Sequence, residues 1–516
     1  MNLGKIKLLN SKNQSQFGIN VSTNVIAYGI NLLIGLWLTP YLIIHLGVES
    51  YGLYPLAYSV TIYMSLITMA LNGAVGRYLT IDLQKNSIDS ANKTFNTALF
   101  GILIISLISI PFLIGFVFFV PKIFDIPSGQ EIATQILFFF VMSSFFVTTI
   151  GSSFSISTWA KSRFDLRNAV IIPTNIIRVL VVVILFRLIV PSIWIVGLGI
   201  FISSLFGLFG DIYIWKRLTP ELKISPRKFD LSRIRELTNM GGWMVISQIG
   251  TLLILYIDLV VANIMLGPKV AGEYGTLIQF SALLRGVAGT VAGVLTPIVL
   301  AKYAVNDLKS ITSLSLLAVR LMGIAIGFLV GLICGFGKPF LELWLGADFG
   351  RLGLLLAIIV FHLPINLAVL PLIGIQITLN KVKIPGLVTL VMGVVNILLA
   401  IFFIKFLNMG AYGIAAAGAI VLTLIYSLFT SIYTAYIQNY SWKIYLKALF
   451  PGILVPTLVG SISWFITTQY AIRNWLEMIS IGSITGIVCV IIIYLFILNL
   501  EDKKFLLTII PRRFKR

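Results

Sequence analysis

Charge is scarce in this sequence. Only 11% of its 516 residues are charged, against about a quarter in soluble domains. There are 18 acidic residues, two histidines and two cysteines. So few charges cannot cover the surface of a soluble protein of this length, which excludes a soluble enzyme and a disordered chain. Cys334 and Cys489 lie inside apolar runs and form neither a disulfide framework nor a metal-ligand spacing. Large hydrophilic loops are missing too. The longest break, 216–239, is strongly basic and carries Pro220 and Pro226.

What fills the chain is apolar: 58% of the residues, enough at about 20 residues per crossing helix for roughly fourteen spans. Continuous apolar stretches fall at 17–45, 51–81, 95–120, 132–160, 168–190, 193–215, 240–266, 272–301, 309–337, 351–379, 384–406, 412–437, 444–468 and 475–498. They do not alternate, so a membrane β-barrel is excluded and helices are predicted. The first stretch is too long for the h-region of a cleaved signal and reads as a span.

The net charge of +20 comes from 38 Lys and Arg. In a soluble protein that excess would point to nucleic acid. With the N-terminus placed in the cytoplasm, 27 of the 38 fall on cytoplasmic segments. Seven fall outside (Lys122, Arg187, Lys269, Lys338, Arg351, Lys405 and Arg473) and four within spans. This is the bias of a multi-pass membrane protein with both termini cytoplasmic, and it removes the reason to invoke nucleic acid.

An internal repeat is visible at an offset of 220. Leu46-Gly47, followed by Gly52-x-Tyr54, recurs as Leu266-Gly267 and Gly272-x-Tyr274. Lys161-x-Arg163 recurs as Lys381-x-Lys383, and Tyr28 and Asn31 align with Gln248 and Thr251. Six helices is an even number, so the two copies share one orientation, as in parallel-repeat transporters. The predicted fold is an all-α polytopic membrane protein of about fourteen helices, two parallel six-helix repeats plus two extra C-terminal helices. The expected boundaries are 1–215 for the first bundle, 216–239 for a basic connector and 240–437 for the second bundle, with 438–516 holding the extra helices and a basic cytoplasmic tail.

The segment from Thr39 to Ser59, T-P-Y-L-I-I-H-L-G-V-E-S-Y-G-L-Y-P-L-A-Y-S, and L-N-G-A-V-G-R-Y-L-T at 71–80 resemble the N-terminal region of bacterial polysaccharide flippases. These act on O-antigen or capsule units and belong to the multidrug/oligosaccharidyl-lipid/polysaccharide exporter superfamily. The resemblance implies a protein of the bacterial cytoplasmic (inner) membrane. It would move undecaprenyl-diphosphate-linked oligosaccharide units across the bilayer by alternating access through a central cationic cavity, with no bond chemistry and no cofactor. The membrane potential, or a gradient of H⁺ or Na⁺, would drive it. Partners implied are the lipid-linked glycan, the bilayer, and polysaccharide polymerase and chain-length proteins. The alternatives are a lipid II flippase, a drug or cation exporter of the same superfamily, and a membrane glycan polymerase or ligase. Short outer loops count against the last.

Charges within spans nominate the site, because each costs about 2.5–3.5 kcal/mol at mid-membrane. Arg285, Arg178, Arg320 and Arg77 outnumber the acids Asp258 and Asp211. Guanidinium groups donate paired hydrogen bonds to phosphate oxygens, so the excess favours a diphosphate. Asn24, Tyr28 and Asn31 line one face of the first stretch, and Gln248, Thr251 and Asp258 one face of the seventh. Their amides and hydroxyls are candidate sugar contacts, or interhelical bonds of the kind common in membrane bundles. Asp211 is expected to end the sixth stretch near the headgroups. Tyr51, Tyr54 and Tyr58 share a face of the second stretch, as interface aromatics or sugar-stacking rings. His45 and His362 are the candidate neutral-pH titrating groups. Pro40, Pro173, Pro297, Pro364 and Pro371 are expected to break helices.

Overall fold

Inside a bilayer no water satisfies peptide groups, so each apolar stretch closes its own backbone bonds as a helix. The computed structural model describes residues 11–230, 242–304 and 307–509. Six helices make up the first repeat: α1 (Ser11–Leu46), α2 (Val48–Gln84), α3 (Ile88–Ile123), α4 (Glu131–Ala160), α5 (Phe164–Leu188) and α6 (Ile193–Leu218). In the second, α7 is two-part (Gly242–Leu255, Ile257–Leu266) and is followed by α8 (Pro268–Ala304) and α9 (Leu308–Leu345). Then come the three-part α10 (Gly353–Phe361, Leu363–Ala368, Leu370–Thr378), α11 (Lys383–Lys405) and α12 (Gly410–Ile437). The extra helices are α13 (Pro451–Gln469), α14 (Trp475–Ile492) and a short α15 (Leu500–Ile509). No strand occurs among the described residues.

Among the described residues, twelve of these helices are long and apolar enough to cross a membrane. The sequence predicted fourteen. The other two predicted stretches, 51–81 and 272–301, correspond to α2 and α8, which are 37 residues each and both include residues whose side chains lie outside the described ones. They are also repeat partners. Val48 and Pro268 begin them 220 positions apart, and Gln84 and Ala304 end them at the same offset. Helices α3 and α9 start in the same register, at Ile88 and Leu308. Each Leu-Gly pair is a helix stop: Gly47 (φ 78°) and Gly267 (φ 88°) take the left-handed conformation that turns the chain into the next helix.

The chain divides into two units, 1–245 with 263–272, and 246–262 with 273–516. In the first, α4 packs along α6 at Gly197, where a Cβ would come 3.0 Å from the Leu137 carbonyl oxygen. Phe95 and Trp215 stack at 5.3 Å in its core. Gly52 and Gly272 also meet here. A Cβ on Gly52 would lie 2.7 Å from the Gly272 Cα, and one on Gly272 would lie 2.2 Å from the Val48 carbonyl oxygen.

The start of the connector lies as a strap on α3. Asn92 donates to the Glu221 carbonyl (3.0 Å) and accepts from the Lys223 amide (2.7 Å). One turn on, Asn96 repeats the pattern with the Lys223 carbonyl and the Ser225 amide. Two side-chain amides thus replace a strand partner for an extended segment. The rest of the connector, 231–239, the 510–516 tail and the side chain of Arg77 lie outside the described residues.

In the second unit a glycine stripe at Gly327, Gly331 and Gly335 brings α13 against α9. A Cβ at Gly331 would be 2.6 Å from the Val459 Cβ, and one at Gly335 2.2 Å from the Ser463 Cβ. Small residues allow this approach, and it is how the first extra helix docks. Pro364 and Pro371 open short helices after breaks at His362 and Val369, as expected. Pro40 and Pro173 do not break theirs: α1 and α5 run through them. The backbone is helical through Pro297 as well.

Candidate functional site

Three helices of the second unit are interrupted, and their interruptions supply one polar cluster. Helix α7 breaks at Tyr256, two residues before Asp258. Helix α10 breaks at His362. Helix α12 widens into a π-helical segment, Thr423–Thr430. Discontinuous helices free backbone groups and re-aim side chains at intramembrane sites.

Asp258 is 7% exposed. Its Oδ2 accepts from the Tyr274 hydroxyl at 3.0 Å and its Oδ1 from the Asn396 amide at 3.3 Å. Arg285 is half-buried and its Nε donates to Ser281 Oγ at 3.2 Å. It lies within electrostatic reach of Asp258, Tyr256, Tyr426 and His362. The Asn366 amide bridges His362 Nδ1 (2.7 Å) and Thr423 Oγ1 (3.3 Å), while Ser427 donates to its carbonyl (2.5 Å). Tyr426 is hydrogen-bonded to Thr251. One acceptor, Asn396 Oδ1, is buried with no hydrogen-bond partner among the described residues. An unpaired buried acceptor costs about 1–3 kcal/mol, so it marks a place poised for a donor or a cation.

The structure therefore brings Arg285, Asp258 and Thr251 together. Gln248 is half-buried three residues before Thr251. Sequence reasoning missed Tyr274, Asn396, Tyr426 and Asn366 as members. The repeat offset holds a signal for Asn366, Asn396 and Tyr426, though not for Tyr274, whose counterpart is Tyr54. Subtracting 220 from Asp258, His362, Asn396 and Tyr426 gives Leu38, Met142, Ile176 and Phe206. Polar side chains stand in the second copy where the first has apolar ones. In the first copy α1, α4 and α6 are also uninterrupted.

The first unit holds a different arrangement. The polar face of α1 is hydrogen-bonded to α5: Asn168 donates to Asn24 and Asn175 to Asn31, both at 2.6 Å. Tyr28 is half-buried between them. Below this ladder Asn20 holds the Ser162 carbonyl at 2.8 Å and Gln16 donates to Asp165 at 3.0 Å. Arg178, one turn beyond Asn175, has a buried Nε with no hydrogen-bond partner among the described residues. Arg320 is held elsewhere. Its Nη2 is 2.6 Å from the fully buried carboxylate of Asp502 on α15. Asp211 takes both its bonds from Arg167, at 2.7 and 2.8 Å. His45 is exposed, with Nδ1 against the Tyr41 carbonyl oxygen. Tyr51 is buried and Tyr58 exposed, so the three tyrosines of α2 do not form one open face.

Long apolar helices in two repeated copies, with broken helices converging on buried polar groups in one copy, define an all-helical polytopic membrane protein with an internal repeat. Comparison with known proteins narrows the class. Residues 17–302 match the model of a family described as polysaccharide biosynthesis protein. The chain is 31% identical to the uncharacterized membrane protein EpsK of Bacillus subtilis (strain 168), over 97% of its own length and 98% of the relative's. The chain thus belongs to the polysaccharide biosynthesis protein family of membrane proteins. Its fold is shared with an inward-facing multidrug resistance MATE family transporter of the MOP superfamily (TM-score 0.66, 14% identity, covering 82% of this chain and 99% of that one). It is shared also with the lipid II flippase MurJ in an inward closed conformation (TM-score 0.63, 16% identity, 92% and 98% covered).

Proposed function

We propose that the protein is a flippase that carries an undecaprenyl-diphosphate-linked oligosaccharide across the cytoplasmic membrane by alternating access. The observation that carries this reading is the cationic and polar cluster around Arg285, where α7, α10 and α12 are interrupted. Arg285, and Arg178 with an Nε that has no hydrogen-bond partner among the described residues, are the cations that would receive diphosphate oxygens. The amides of Asn24 and Asn31, and Tyr28, Gln248 and Thr251, would face sugar hydroxyls. Arg77, near the end of α2, remains a candidate for the same anionic headgroup. Arg320 is the weakest candidate because Asp502 already satisfies it. Coupling to H⁺ or Na⁺ would pass through Asp258, beside the Asn396 oxygen that has no hydrogen-bond partner among the described residues. An inside-negative potential would add about 2.3 kcal/mol per outward-moving negative charge per 100 mV. The family match favours a polysaccharide unit over lipid II. The same fold serves a multidrug transporter, but a cationic drug would meet Arg285 as a like charge. Deletion of the gene should trap single lipid-linked repeat units at the inner leaflet. Arg285→Ala should abolish surface glycan at a normal protein level. Normal surface glycan in that variant, or units flipped but left unpolymerised in the deletion strain, would overturn the reading.

A further inference from the structure

A groove of about 940 Å³ opens between the last turns of α9, the 3-10 turn Ala347–Leu352 that leads into α10, and α13. It lies at the end of the second unit that the charge bias places outside. Its walls carry charges of both signs. Lys338 and Glu342 both line it. They stand one helical turn apart, a spacing at which opposite charges commonly pair. Here they do not close on each other, and Lys338 has no ion-pair partner among the described residues. The Glu342 carboxylate is folded onto Gly350, where an added Cβ would lie 2.2 Å from Glu342 Oε1. Arg351 lines the same groove, with one Nη bonded to the buried Glu273 behind it. Thr457 and Ser461 of α13 add hydroxyls. The rim is apolar and lipid-accessible: Leu354 and Trp464 are 65% and 62% exposed.

Cations are rare on this side. Lys338 and Arg351 are two of the seven basic residues that the topology leaves outside, and Arg473 directly follows Ile472, another lining residue. Such a concentration, against the usual bias, asks for a ligand with negative charge. An anion alone would also face Glu342. A headgroup with a phosphate and an ammonium satisfies both, and exposed Trp464 and Leu354 suit acyl chains. We infer that this groove binds a zwitterionic phospholipid of the phosphoethanolamine type from the outer leaflet. Its phosphate lies on Lys338 and Arg351, its ammonium on Glu342. The site is separate from the cluster around Arg285 and does not depend on the flippase reading.

The test uses the full-length protein purified in mild detergent. It is stripped of lipid and then titrated with phosphatidylethanolamine, phosphatidylglycerol or phosphatidylcholine, with bound lipid read by native mass spectrometry. Phosphatidylethanolamine should be retained most tightly. Lys338→Gln should hold it about tenfold more weakly, as expected for one lost charge-assisted hydrogen bond, and Lys338→Arg should restore it. Glu342→Gln should remove the preference over phosphatidylglycerol, a change that general loss of packing would not produce. Equal retention by wild type, Lys338→Gln and Glu342→Gln would overturn the proposal. So would wild-type protein that prefers phosphatidylglycerol or retains no lipid. If a variant does not fold, the selectivity of the wild-type protein alone decides.

Discussion

The pair formed by Arg320 and Asp502 separates two roles for an arginine within an apolar helix. Two of its nitrogens reach one oxygen of Asp502: Nε at 2.8 Å and Nη2 at 2.6 Å. The carboxylate is fully buried, whereas the arginine side chain keeps 21% of its exposure. The other oxygen accepts the Asn499 amide, 3.2 Å away, and Asn499 in turn caps α15 through the Asp502 amide. Arg320→Ala would leave an uncompensated buried carboxylate, at a cost of about 3 kcal/mol, the low end for a broken buried pair because one partner is partly wet. Asp502→Ala would keep that backbone capping bond but lose the acceptor for the Asn499 amide, and should cost a similar amount. The double variant should fall short of the sum by about 2 kcal/mol, the coupling expected of charge-assisted bonds. The assay is SDS-induced unfolding of the four proteins, with surface glycan measured in parallel. A structural pair predicts that both single variants lose glycan alike, in proportion to lost protein. Additive unfolding energies would refute the argument. So would loss of glycan in Arg320→Ala at a normal protein level while Asp502→Ala exports normally, since that result would put Arg320 in the substrate path.

Four further outcomes follow from the packing and its hydrogen bonds. Gly272→Ala places a Cβ 2.2 Å from the Val48 carbonyl oxygen and should leave little folded protein by size-exclusion chromatography. Gly289→Ala, with open space around it, should be neutral or stabilising by up to about 1 kcal/mol. Asn92→Ala or Asn96→Ala each removes two strap bonds and should speed amide exchange of Lys223 and Ser225 by about tenfold or more, with α4 and α6 unaffected. Tyr274→Phe takes one of two donors from Asp258 and should lower the melting temperature, reflecting about 1–3 kcal/mol. An unchanged melting temperature would mean that the Asp258 bond is replaced by water.

The helical architecture and the repeat were legible because they rest on local properties. Long apolar runs fix helix positions, and the paired Leu-Gly stops fix the register to the residue, as the matching starts of α2 and α8 show. Asp258 and Arg285 were legible because an intramembrane charge is conspicuous against apolar neighbours. The breaks were less so. His362 and Val369 are flagged by the prolines that follow, but no proline or glycine marks Tyr256 or the π-helical turn at Thr423–Thr430. The π-helical segment carries Thr423 and Ser427, both bonded to Asn366 of another helix, contacts that exist only once the chain is folded. The partner of Arg320 lies 182 residues away on a helix that the sequence offered only as a tail. The connector read as a basic linker, yet Asn92 and Asn96 fasten its first part. Their amides look like ordinary helix surface until the chain folds back on them.

The apolar residues that answer Asp258, His362, Asn396 and Tyr426 in the first copy carry a consequence for how this protein tolerates change. Leu38 and Met142 are buried and ask only for volume, and cores accept volume-conserving exchange at modest cost, while Ile176 and Phe206 are each 43% exposed and ask only for an apolar surface. Their counterparts must each keep a donor or acceptor in place. In a deep mutational scan scored by surface glycan, permitted substitutions should therefore spread across several side-chain types at the four first-copy positions. They should narrow to nearly one residue at the four second-copy positions, making the two halves unequal in their freedom to vary despite their common plan.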